Sequence, residues 1–139
     1  MFISFVVEDR HYASLMDAWA ANENNEFDFY DERLKVAIGS HDAEYVKSRL
    51  RPKIDRASVL MCLIGDTTSQ SAWVNWEIEY AKRQGKGLVG VELGGKMPRP
   101  SQISDSGAIF VPYSKDEVLR GIERSATTEK TSGDWVFSE

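Results

Sequence analysis

The chain has one cysteine and two histidines in 139 residues. A single cysteine excludes a disulfide framework, and within the apolar run ASVLMCLIG it reads as a small buried hydrophobe rather than a reactive thiol. His11 and His41 stand far apart, without acidic or cysteine company at ligand spacing, so no metal centre is expected. Long apolar runs are missing too: none approaches the roughly 18 residues that a membrane span needs. The opening MFISFVVEDR lacks the basic start, long apolar stretch and cleavage site of a secretory leader. A soluble, cytoplasmic protein without a membrane partner is expected. Basic clusters are scarce: residues 1–30 hold six acids and one base, residues 31–60 five acids and seven bases, and the whole chain carries a net charge of −5. With only the modest run from Lys47 to Arg56 as a phosphate-neutralising face, nucleic acid is not an expected partner.

What is present is an alternation of strand and helix signals. With 42% apolar residues the chain can bury one core. FISFVV (2–7) is a short β-branched and aromatic run suited to a strand buried on both faces. Tyr12, Leu15, Met16 and Trp19 recur at helical spacing over 9–22. FDFYD (27–31) alternates as a second strand would. A helix is expected over 42–53 on Tyr45, Val46 and Leu50, with Pro52 disturbing its end. ASVLMCLIGD (57–66) is the strongest strand, LVGVEL (88–93) another and AIFVPY (108–113) a fifth. Residues 94–107 read as an irregular connection. Ser114 and Glu117 form a capping-box pattern before a helix carrying Val118, Leu119 and Ile122. Strands alternating with helices predict right-handed βαβ crossovers and an α/β fold. The expected architecture is flavodoxin-like, three-layered, with a five-stranded parallel sheet in the order 2-1-3-4-5. Its ligand crevice belongs at the carboxyl ends of strands 1 and 3, residues 5–10 and 64–68.

The helix after the third strand opens with SAWVNWEIEYA. With Ser71 as N-cap, Trp73, Glu77, Tyr80 and Ala81 share one face. On spacing alone the tryptophans are packing or partner-facing aromatics and Glu77 is a solvated rim residue, while Glu79 points elsewhere into solvent.

FISF near the N-terminus, the strand VLMCLIGD and the pattern Ser71-x-Trp73-x-x-x-Glu77 resemble the TIR domain family, especially the TIR-like proteins of bacterial Thoeris-type antiphage defence. The resemblance covers residues 2–93. It implies a TIR-like domain over 1–125, with 126–139 as a tail that packs on it or extends from it. It also implies an NAD+ glycohydrolase or ADP-ribosyl cyclase activity that cuts the nicotinamide–ribose bond, NAD+ being substrate and no cofactor being needed. Glu77 stands where the family's essential glutamate lies. One carboxylate suits this chemistry, because nicotinamide leaves as a neutral group and needs no general acid, unlike ordinary glycoside hydrolysis. Ser4, Phe5, Arg10, Tyr30, Asp31, Arg33, Asp66 and Trp73 are the candidate substrate-binding residues.

With no Gly-x-Gly-x-x-Gly fingerprint and no Walker loop, backbone N–H groups near Asp9 and Thr68 are left to meet the pyrophosphate. The resemblance further implies self-association on activation, a phage-derived trigger, and a cyclic or conjugated ADP-ribose signal to a downstream effector. Residues 31–41 lack the proline-bearing loop of eukaryotic signalling TIR domains.

Three other readings compete. Glu8, Asp9, Asp66 and Lys115 approximate the acidic pocket of a receiver-like signalling domain, although acids after a strand also suit a helix start. The tryptophans suit a nonenzymatic interaction module. A nucleoside-transferring enzyme would use the same carboxylate as nucleophile.

Overall fold

A computed structural model describes residues 1–22, 36–95, 97–104 and 107–132. Four strands, β1 (Phe2–Ser4), β2 (Val59–Ile64), β3 (Gly87–Glu92) and β4 (Ile109–Pro112), form one parallel sheet in that spatial order. Helices α1 (Arg10–Asn22) and α5 (Lys115–Ser132) pack on one face; α2 (Ala43–Arg56), α3 (Ala72–Arg83) and the single turn α4 (Ser101–Ser104) pack on the other. The α/β class and the parallel sheet are as expected. Five strands in the order 2-1-3-4-5 are not what the described residues form. They form four, and the strand expected at 27–31 lies outside them. The four keep the relative order expected of the first, third, fourth and fifth strands.

Strand β2 shows why the sheet is parallel and central. All six of its residues are buried, and they alternate between two cores. Leu60, Cys62 and Ile64 face α2 and α3, while Val59, Met61 and Leu63 face α1 and α5. A strand with no polar face is stable only between two layers of helices. Each of its large side chains contributes roughly 1.5–3 kcal/mol by leaving water.

Strand β1 is shorter than FISFVV, because a 3-10 turn at Val7–Asp9 takes over, closed by the Asp9 N–H on the Val6 carbonyl at 2.9 Å. Helix α2 runs through Pro52 to Arg56, beyond the expected break. Pro52 is exposed, and the buried stripe Ala43, Val46, Leu50, Ile54 continues past it. Burial of Ile54 beyond the ring favours continuing the helix despite the lost N–H. Two expected core positions turn outward: Leu15 is 48% and Tyr45 65% exposed, because α1 is phased on Ala13 and Met16 and α2 on the stripe just named. Helix α5 starts as expected, with Ser114 Oγ accepting from the Glu117 N–H at 3.3 Å. It runs on to Ser132, so the first residues of the expected tail are helical.

Candidate active site

Ser71 caps α3, its Oγ accepting from the Val74 N–H at 3.1 Å. The cap sets the helix phase, and the phase buries Trp73, Val74, Glu77, Ile78 and Ala81 while leaving Glu79 outside near Arg83. Glu77 is therefore not a rim residue: it is 1% exposed. An ionised carboxylate in that position is costly unless a donor meets it. Ser4, the last residue of β1, supplies one, its hydroxyl donating to Glu77 Oε1 at 2.6 Å.

Ser4 stands at one end of a row of small residues. Ser4 lies beside Cys62, Cys62 beside Gly90 and Gly90 beside Phe110 across the four strands. Ser4, Cys62 and Gly90 form a row of small residues on the α3 face, between larger neighbours at Leu60 and Leu88 on one side and Ile64 and Glu92 on the other. A Cβ on Gly90 would lie 2.5 Å from the Phe110 ring. Burial, and then the neighbouring Glu77 and Asp9 carboxylates, push the Cys62 thiol far above its ordinary range. At neutral pH the floor of the site is thus uncharged.

Trp73 is a packed residue. Its indole N–H donates to the Val36 carbonyl, and its ring meets Trp76 edge-on at 5.9 Å. Trp76 stacks on Tyr80 with rings 10° from parallel, and Lys47 and Arg51 of α2 stand over its ring at 5.6 and 5.7 Å. For Trp76 the packing reading of the aromatics holds.

A second polar feature lies at the carboxyl ends of β1, β2 and β3, where the fold topology places the crevice. It is a cleft of about 360 Å³ whose lining includes Glu8, Asp9, Tyr12, Asp66, Leu93 and Met97. Thr68 braces its wall, donating to the Leu63 carbonyl at 3.2 Å and accepting from the Gly65 N–H at 2.8 Å. Asp9 leans on Gly65, where an added Cβ would meet its Oδ2 at 2.6 Å. That buried Oδ2 has no hydrogen-bond partner among the described residues. Desolvation, then Glu8, raise the Asp9 carboxyl above its ordinary range; His11 lowers it by less, and Asp66 adds the smallest raise.

The Asp9 N–H donates to the Val6 carbonyl. Among the described residues no three His, Cys, Asp or Glu side chains are grouped to hold a metal ion, and no helix is long and apolar enough to cross a membrane.

The profile of the family described as Thoeris protein ThsB, TIR-like domain, matches residues 2–97. The chain belongs to that family. No match is found among curated protein sequences. Among solved structures, the Clostridium botulinum CMP N-glycosidase BcmB is similar in fold, with a TM-score of 0.58 and 12% identity over 88% of this chain and 99% of that one.

Within this ThsB TIR-like chain, the structure brings Ser4 and Glu77 into contact and places Trp73 one helical turn before Glu77. Phe5 faces the opposite core, with Ala13 and Met16. Arg10 is half-buried at the start of α1, and Asp66 lines the acidic cleft. Tyr30, Asp31 and Arg33 lie outside the described residues. Sequence reasoning did not pair Ser4 with Glu77, nor find Cys62 beside it. Both follow from strand register, which no local pattern encodes. Tyr12, Leu93 and Met97 carried no signal for the cleft they line.

Proposed function

We propose that this ThsB TIR-like protein consumes NAD+ by cleaving the nicotinamide–ribose bond, with Glu77 as the catalytic carboxylate. The observation that carries the reading is the buried Glu77 held by Ser4 at 2.6 Å, on the helix where the family resemblance puts the essential acid. The C1′–N bond breaks with its electron pair leaving on nicotinamide. The pyridinium becomes neutral without a proton, and positive charge develops on the ribose. A preorganised carboxylate in a water-poor setting stabilises that charge strongly and can also hold the ribose hydroxyls. Capture of the anomeric carbon by water gives ADP-ribose; capture by a nucleophile of the substrate gives a cyclic product, and a second molecule gives a conjugate.

In this reading NAD+ is substrate and no cofactor takes part. The cytoplasmic enzyme self-associates on activation by a phage-derived trigger, and a cyclic or conjugated ADP-ribose reaches a separate effector. Ser4, Arg10, Asp66 and Trp73 remain candidates for holding the substrate, together with Phe5, Tyr30, Asp31 and Arg33.

The fold shared with a CMP N-glycosidase favours one second reading, hydrolysis of a nucleotide at the same ribosyl carbon. Mass spectrometry of small molecules after incubation with NAD+ or CMP, comparing wild type with Glu77→Gln, separates the two. Nicotinamide released by wild type and not by the variant supports the NAD+ reading; cytosine from CMP alone replaces it with the second. Nicotinamide release undiminished in Glu77→Gln removes Glu77 from the mechanism.

A further inference from the structure

We infer that Ser4 is a positioning residue, whose hydroxyl fixes the plane of the Glu77 carboxylate before substrate arrives. The inference rests on the catalytic reading of Glu77. The terminal torsion of a glutamate is broad and roughly two-fold, so a carboxylate without a directed donor sweeps through many planes. The Ser4 hydroxyl narrows that freedom, and its 2.6 Å separation from Oε1 is at the short end of O–H···O bonds.

The strand pattern argues that the hydroxyl itself matters. Phe2 and Val6 lie on the same side of the chain as Ser4 and belong to the apolar core against α2 and α3. Ser4 is 1% exposed, and packing alone would be served by alanine. A buried hydroxyl is unfavourable unless it is bonded, and here its bond goes to the candidate catalytic oxygen. Cys62, its neighbour on β2, is another small side chain on the same face.

The test compares wild type, Ser4→Ala and Ser4→Thr on whichever of NAD+ or CMP the wild type cleaves. Ser4→Ala is expected to lower kcat about tenfold to a hundredfold, the scale of a misaligned reacting group, with KM within about twofold and the native circular dichroism kept, the melting temperature falling because a buried carboxylate loses a donor. Ser4→Thr, which keeps the hydroxyl, restores most of kcat. An unchanged kcat in Ser4→Ala, a loss confined to KM, or no rescue by threonine overturns the positioning role.

A second readout needs no turnover: the infrared carboxylate band of Glu77, isolated by difference against Glu77→Gln. It is expected to shift in Ser4→Ala and return in Ser4→Thr; an unmoved band overturns the inference. A band that moves as expected in a protein cleaving neither substrate supports the Ser4–Glu77 linkage and overturns the hydrolase reading alone.

Discussion

Glu77 and Asp9 are both carboxylates set against the same sheet, and the fold treats them oppositely. Glu77 is almost fully enclosed, meets a hydroxyl at 2.6 Å and has the uncharged side chain of Cys62 near it. Asp9 stands in an open cleft with Glu8 and Asp66, and its buried Oδ2 has no partner among the described residues. Burial is therefore not what separates the two; the hydroxyl that meets Glu77 is. One carboxylate thus meets a donor in the interior, while three acids share an open cleft.

The largest effect that tests this contrast is on turnover. Glu77→Gln is expected to lower glycosidic cleavage by about a hundredfold to a thousandfold or more, followed as nicotinamide release, while circular dichroism shows the native fold. If the variant kept its rate, the two carboxylates would not differ in function.

Gly90→Ala comes next, since its new methyl lies within 2.6 Å of two Phe110 ring atoms and 3.1 Å from Ile64. Overpacking there is expected to lower stability by about 1–3 kcal/mol in a denaturant titration. An unchanged midpoint would mean that the small row is not needed for space.

Asp9→Asn is expected to go the other way and raise the melting temperature at pH 7 by a few degrees. The folded Asp9 carboxyl is raised above its ordinary 3.8, so the folded state holds that proton more tightly than the unfolded chain. Stability then falls as pH rises from about the unfolded value through the folded one. The advantage of asparagine should thus vanish in acid, below the unfolded value, and grow toward neutrality. A gain independent of pH would assign it to packing instead.

The smallest effect belongs to Asp66→Asn. It is expected to leave kcat within about threefold, with any change confined to KM; a larger loss of kcat in steady-state assays would bring the acidic cleft into the bond-breaking step.

Local signals were the legible ones. VLMCLI is apolar without interruption and became the central strand, and Ser71 and Ser114 each cap the helix that their hydroxyls predict. Phase within a helix was harder. Leu15 and Tyr45 are apolar residues next to the true stripes, and a rotation of one residue moves them from core to solvent. The position of Glu77 was readable from its resemblance, but its burial was not, since spacing alone makes it a rim residue. Its partner depends on which residue of β1 stands beside Cys62, a matter of register between strands more than fifty residues apart. Met97 reaches the cleft from an irregular connection, where no periodicity exists to place it.

Ser4 and Glu77 are 73 residues apart in the chain. Closing a loop of that length has an entropic cost that helices and neighbouring turns do not meet, and parallel pairing of this kind is among the slower events of folding. The candidate active site is consequently a record of how far folding has gone. Helix α3 with its capped start can form early, but its glutamate meets the Ser4 hydroxyl only when β1 settles beside β2. During refolding, the return of catalysis should therefore trail the return of helical signal and coincide with docking of the first strand.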